Sequence, residues 1–412
     1  MILFFLTSGL FLGWSLGAND ASNAFGSAVG SKLVSFRKAA IIASIAVIFG
    51  AVIQGAGTTQ TLGKLGAVNA IGGSFTLALA SAITVYMMTK FSLPVSTTQA
   101  IVGAIIGWNL FTGSPTDTSV LSKIVVTWIT SPVMGALFAI LLFVLVNRIK
   151  KAAGIHLIRF ESYIRTGLII TGAFGAYSLG ANNIANVMGV FAPAFNLQDL
   201  DLVLFKLNSN QQLFLLGGIA IAVGILTYSK KVMETIGENI VELSSEAAMV
   251  VVLSESLVLF IFSSSGLSEL LVSLGLPAIP LVPVSSSQVV VGCVIGIGLY
   301  KGARNINFRL LGEISAGWVA TPLISGLLAY FSLFFFRNIF NIDVGHKAET
   351  GVSAAQIITS TDGNAAVSNA MKYILIGLLV AGLITALFFY LLERKRKSEL
   401  RLSEERFWRN LK

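Results

Sequence analysis

In this 412-residue chain, Gly17-Ala18-Asn19-Asp20-Ala21-Ser22-Asn23-Ala24 sets a carboxylate and two carboxamides into an apolar run from Ile2 to Val29. Hydrocarbon makes such groups expensive, so they are expected to face a protein interior or a water-filled cavity and to act there. On a helix Asn19 and Asn23 share a face, as do Asp20 and Asn23, and oxygens grouped this way suit a hard cation. The motif returns 163 positions later as Gly180-Ala181-Asn182-Asn183-Ile184-Ala185-Asn186-Val187. A polar cluster recurring in two halves points to a transport site at a repeat interface.

Two further pairs run in the same order. Pro94-Val95-Ser96-Thr97-Thr98-Gln99 matches Pro283-Val284-Ser285-Ser286-Ser287-Gln288, each followed by an apolar stretch too short to span. Trp128-Ile129-Thr130-Ser131-Pro132 matches Trp318-Val319-Ala320-Thr321-Pro322. The offsets of 163, 189 and 190 positions are reconciled by one insertion of about 26 residues near Ser263–Pro280. A proline, then hydroxyls, then glutamine at the start of a helix reads as a half-helix N-terminus inside the membrane. Such termini bind phosphate-like anions through N–H groups and hydroxyls without a basic side chain, and the motifs contain no Arg or Lys. Na⁺ held by Asp20, Asn19, Asn23, Asn182, Asn183, Asn186, Gln99 and Gln288 would offset the anion's charge, which couples the two ligands.

The elements that must position these groups are helices in a bilayer. Hydrophobic residues make up 55% of the chain and charged residues 11%, far from the ~25% charged of a soluble domain. Nine apolar segments reach spanning length: Ile2–Val29, Ala39–Gly57, Ser74–Met88, Ile124–Val146, Gly167–Val190, Phe214–Tyr228, Ala247–Phe262, Ile314–Phe336 and Tyr373–Leu392. The expected fold is an all-α polytopic membrane protein of two inverted-topology repeats, each with a broken motif helix and a re-entrant helical hairpin. The first repeat covers 1–150 with its tip at 94–99, and the second covers 151–337 with its tip at 283–288. An external loop (338–370), a C-terminal transmembrane helix (371–392) and a basic cytoplasmic tail (393–412) follow.

Charge sets the orientation. Lys32, Arg37 and Lys38 follow the first motif, whereas Phe191–Gln212 after the second holds Asp199 and Asp201 against Lys206. By the positive-inside rule the two motif helices run in opposite senses, with the N-terminus outside and the C-terminus cytoplasmic. The net charge of +9 lies in short loops and the tail and reports orientation, not nucleic acid. Met1 to Gly13 lacks a basic n-region, so the first helix is expected to be retained. Cys293, the single cysteine, excludes an intrachain disulfide, and His156 and His346 alone exclude a Cys/His metal site. No nucleophile–base pair appears among the motifs, which argues against an enzyme.

These motifs closely resemble the inorganic phosphate transporter family of sodium- or proton-coupled phosphate permeases, over about Met1–Phe336. The resemblance implies inverted repeats, two re-entrant hairpins, a central phosphate site and a homodimer in a plasma or inner membrane. It implies phosphate ligands at Asp20, Asn23, Ser96, Thr97, Thr98, Asn186, Ser285, Ser286 and Ser287, and sodium ligands at Asn19, Asp20, Gln99, Asn182, Asn183 and Gln288. No cofactor is implied beyond Na⁺ as coupling ion. The chain departs from the family pattern at Asn183 (usually Asp), Val187 (usually Ala) and Gln99 and Gln288 (usually His). Loss of both histidines removes the residues best suited to carry a proton near neutral pH, which favours Na⁺ over H⁺ coupling. The rivals are an H⁺-coupled phosphate or sulfate permease and, further off, an anion channel.

Plainer roles stand beside these. Asp20 could cap a helix, the hydroxyls could back-bond within their own helices, and the asparagines could serve as interhelical glue. Glu242, Glu246 and Glu255 are candidate cation ligands or structural partners. Trp128 and Trp318 read as packing beside Pro132 and Pro322, and the tail as lying on the cytoplasmic leaflet.

Overall fold

The computed structural model describes residues 2–66, 68–90, 95–153, 157–195, 197–202, 205–239, 244–302, 308–346, 368–378 and 380–381. Within them lie twelve α-helices: α1 (Ile2–Gly30), α2 (Phe36–Gln54), α3 (Ala56–Leu65), α4 (Ile71–Lys90), α5 (Thr97–Thr112), α6 (Thr118–Ala153), α7 (Leu157–Met188), α8 (Ser209–Asn239), α9 (Ser245–Ser263), α10 (Ser265–Ser273), α11 (Ser286–Tyr300) and α12 (Phe308–Ile339). Residues 368–378 are helical too, at the start of the expected C-terminal span. The rest of that span and the basic tail lie outside the described residues.

Six helices are long and apolar enough to cross a membrane by length and composition: α2, α4, α6, α8, α9 and α12. The motif asparagines lower the hydropathy of α1 and α7, which are as long as the others. The protein is a multi-pass, almost wholly helical membrane protein.

Glycine decides which helices meet. A Cβ on Gly17 of α1 would run into the Ile221 carbonyl of α8, and one on Gly224 of α8 into that of Trp14. The same exchange joins α2 and α7, where Gly50 abuts the Tyr177 carbonyl and Gly180 that of Val47. A third joins each half's short helix to the other half's proline-bearing helix, with Gly103 (α5) on the Pro322 carbonyl and Gly292 (α11) on the Pro132 carbonyl. Without a hydrophobic force between helices in lipid, backbone approach of this kind drives association. Only 22% of the most apolar stretch of α6, and of α12, is buried, against 72% for α4 and for α8. Ile129, Leu137 and Leu141, with Leu323, Leu327 and Phe331, are therefore left on the outer surface of the chain.

The structure departs from expectation in three places. The motif helices are not broken: α1 and α7 run through both motifs, and the helices at the site are interrupted at the hairpin tips instead. Side-chain amides reach the tips without unwinding, so these backbones keep their own ladders. Second, two short helices appear, α3 and α10. The threonines of α3 hide it from a hydropathy reading, yet Thr58 Oγ1 donates to the Ala181 carbonyl at 3.4 Å and Thr61 Oγ1 to that of Leu281. α10 fills only part of the expected insertion, with Ser264 Oγ accepting from Leu267 N at 3.2 Å; the matching crossings of Gly50 and Gly224, 174 positions apart, place 11 of the added residues (174 less 163) ahead of α8. Third, the expected loop after α7 contains an antiparallel hairpin, β1 (Leu200–Leu202) and β2 (Phe205–Leu207), in the register Leu200 to Leu207. Asp201 and Lys206 pair across it at 3.1 Å.

Candidate transport site

Two helix N-termini meet in the interior. Ser96 caps α5 by accepting from Gln99 N at 3.2 Å, and Ser285 caps α11 by accepting from Gln288 N at 3.3 Å. Thr97 and Thr98, with Ser286 and Ser287, therefore occupy first turns, where backbone N–H groups have no intrahelical acceptor. The tips bind each other reciprocally: Thr98 Oγ1 donates to the Val284 carbonyl at 3.2 Å, and Ser287 Oγ to the Val95 carbonyl at 3.1 Å. A further hydroxyl contact, Ser285 to Ser287 at 3.1 Å, tightens the second tip. Pro94, before the first tip, lies outside the described residues.

The motif helices close on these tips crosswise. Asn186 of α7 donates through Nδ2 to Thr98 Oγ1 at 2.9 Å, and Asn23 of α1 donates to Ser286 Oγ at 3.2 Å. Each motif thus touches the hairpin of the other half. Asn182 grips the second tip from both sides, its Nδ2 donating to the Val284 carbonyl at 2.8 Å and its Oδ1 accepting from Val284 N at 2.9 Å. It also donates to Asn183 Oδ1 at 2.7 Å, which accepts from Asn186 at 3.2 Å as well. Asp20 accepts from Asn19 Nδ2 at 2.8 Å and lies within hydrogen-bonding range of Ser286.

All fourteen residues named from the sequence lie on these four elements. Asn19 and Asn23 are half-buried and the others buried. Thr97 Oγ1, Asn183 Nδ2 and Asn186 Oδ1 have no partner, nor do the Oε1 atoms of Gln99 and Gln288. Buried polar atoms are nearly always satisfied, so orphaned donors and acceptors concentrated on two helix starts and a motif mark a place for a polar ligand. Among the described residues no Lys or Arg is buried, and the buried carboxylates are Asp20 and Glu255. The donors offered to an anion are thus neutral, and the charge beside them is negative.

Other sequence candidates fall elsewhere. Glu246 pairs with Lys150, whose ammonium sits 4.6 Å from the centre of the Phe160 ring, and Glu242 lies outside the described residues. Trp128 and Trp318 are half-buried beside Pro132 and Pro322, with unpartnered indole nitrogens. The beginning of the 338–370 loop folds over α4 and α5: Trp108 Nε1 donates to the Val344 carbonyl at 2.8 Å, and Asn69 Nδ2 to that of His346 at 2.9 Å. No local pattern in the sequence announces this strap.

Spanning helices packed through glycine, around two capped half-helices whose tips meet in the interior, define a polytopic membrane transporter. The chain belongs to the phosphate transporter family, whose sequence profile matches residues 16–160 and 150–329. It is 27% identical over 405 residues to a protein named as an inferred phosphate permease of Thermococcus kodakarensis, covering 80% of this chain and 96% of that one. A Pyrococcus furiosus protein of the same description is 28% identical over 407 residues, covering 80% and 94%. In Haemophilus influenzae such a relative is 25% identical over 418 residues, covering 81% and 96%. The fold resembles the solved structure of "The sodium-dependent phosphate transporter" with a TM-score of 0.65 at 23% identity, covering 82% of this chain and 99% of that chain. The relatives are permeases and transporters, and the chain is one of their kind and not an enzyme.

Proposed function

We propose that this protein imports inorganic phosphate together with Na⁺ by alternating access across the cell membrane. One observation carries the reading: two neutral, donor-rich helix N-termini abut beside Asp20, with no buried base among the described residues. Phosphate fits because its four oxygens can accept from many neutral donors, while near pH 7 it also donates to an ionised carboxylate. Sulfate only accepts, and Asp20 would repel it.

The ligands we assign to phosphate are Asp20, Asn23, Ser96, Thr97, Thr98, Asn186, Ser285, Ser286 and Ser287. Those assigned to Na⁺ are Asn19, Asp20, Gln99, Asn182, Asn183 and Gln288. Orphaned oxygens on Gln99 and Gln288 support the second set. Residues 1–150 and 151–337 act as inverted repeats in this reading, supported by reciprocal glycine contacts between the halves. A homodimer, with the N-terminus outside and the tail inside, completes it.

Uptake of radiolabelled phosphate into proteoliposomes tests the reading, with inward Na⁺ set against inward H⁺ and excess sulfate as competitor. Uptake that follows Na⁺, ignores sulfate and falls to background in Asp20→Asn is the expected result. Uptake driven by H⁺ alone, or abolished by sulfate, points to the H⁺-coupled or sulfate permease instead. Counterflow by preloaded unlabelled phosphate separates a carrier, which it stimulates, from a channel.

A further inference from the structure

Glu255 lies in the middle of α9, 2% exposed, with Oε2 lacking any hydrogen-bond partner. Neighbouring Ser254 and Ser256 are no help to it, since their hydroxyls donate back to the Val250 and Val252 carbonyls at 2.7 and 2.6 Å. The helix packs against α1, α6, α7 and α11. Its Ser256 stands beside Ala24 of the first motif, because a Cβ on Gly175 would meet Ser256 Oγ at 2.9 Å and the Ala24 methyl at 3.3 Å. Asp20, one turn away on α1, is close enough for the two carboxylates to repel.

Comparison of the halves isolates the residue. Gly50 and Gly224 are 174 positions apart and play matching parts in their crossings. The same offset aligns the first residues of α4 and α9 and sets Ser81 opposite Glu255. Ser81 meets Ser325 hydroxyl to hydroxyl at 3.4 Å. Ser325 in turn aligns with Gly135 at the 190-position offset of the tryptophan pair, and a Cβ there would meet Cys293 Sγ at 3.0 Å. Where one half joins two hydroxyls, the other has a carboxylate and a vacated side chain. Its motif is also the one lacking an acid, with Asn183 in the place of Asp20.

We propose that Glu255 is a cation ligand of the transport site, giving the second half the carboxylate its motif lacks and holding a Na⁺ between α9 and α1. A carboxylate buried in a membrane protein without a base is stable only with a compensating cation or proton, and Na⁺ is a hard ion suited to carboxylate and hydroxyl oxygens. The assignment rests on the sodium reading above.

The test is Na⁺-dependent thermal stabilisation of the full-length protein in detergent without phosphate, at ionic strength held constant with choline chloride. Glu255→Gln should raise the half-saturating Na⁺ concentration at least ten-fold, and in proteoliposomes lower the Hill coefficient for Na⁺ in phosphate uptake by about one. Where Glu255→Gln fails to fold, Glu255→Asp decides: withdrawing a ligand by one methylene shifts half-saturation three-fold or more, whereas a packing carboxylate leaves it unchanged. A wild type that responds to Na⁺ while these variants respond identically overturns this assignment alone. A wild type that transports phosphate without responding to Na⁺ overturns the sodium reading and this assignment with it.

Discussion

At the scale of single residues, most of the polar machinery holds the hairpins as much as it faces a ligand. Asn182 was legible as a candidate cation ligand because an amide in an apolar helix is conspicuous. Its bidentate grip on Val284, 102 residues away, was not, since nothing local encodes a contact between distant segments. Asn182→Ala leaves the buried Val284 N–H without its acceptor, at about 1–3 kcal/mol for the unsatisfied group, and takes one of two donors from the Val284 carbonyl, which keeps Thr98 Oγ1. The expected outcome is a fall in melting temperature of several degrees in detergent, with phosphate uptake reduced even at saturating Na⁺. Asn183→Ala orphans no backbone group, though it takes an acceptor from the Asn182 and Asn186 amides, each of which keeps another partner, and should lower stability less than Asn182→Ala. Equal melting temperatures for the two variants would rule out the clamp. Glu255 escaped firm assignment for a related reason: one carboxylate with no echo in the other half has no pattern to stand out from.

At the scale of elements, the hairpin helices were readable from proline, hydroxyls and glutamine, and α5 and α11 begin within a few residues of those signals. α3 and α10 were not readable, because helices of ten and nine residues rich in Ser, Thr and Gly carry no spanning signature. The expected break in the motif helices came from treating every intramembrane polar group as a backbone problem, and here side chains resolve it. Crossings offer a sharper test. Gly292→Ala forces a methyl into the Pro132 carbonyl, an overpacking that costs about 1–3 kcal/mol. Gly63, in α3, has nothing within 4 Å of a built Cβ, and Gly63→Ala should stabilise by about 0.5–1 kcal/mol through the backbone entropy glycine loses on folding. Thermal unfolding of the two variants should therefore move in opposite directions from wild type.

At the scale of the whole molecule, loop charge is the only orientation signal, and it makes a checkable statement. In a Cys293→Ala background, Asp201→Cys should react with a membrane-impermeant maleimide added to intact cells, and Lys151→Cys only after the membrane is opened. Both positions are exposed, so accessibility within the protein does not confound the result. Reversed labelling would invert the assigned topology and leave the repeat architecture untouched.

The bonds between the tips, Thr98 to the Val284 carbonyl and Ser287 to the Val95 carbonyl, make the two halves mutual latches. Neither hairpin can swing away without surrendering a hydrogen bond that it gives and another that it receives. Because the two bonds break as a pair, a half-open arrangement gains nothing over a fully released one. In the proposed import cycle, exit toward either side would then come as a single cooperative event, and thermal fluctuation alone would rarely open a leak through the centre of the membrane.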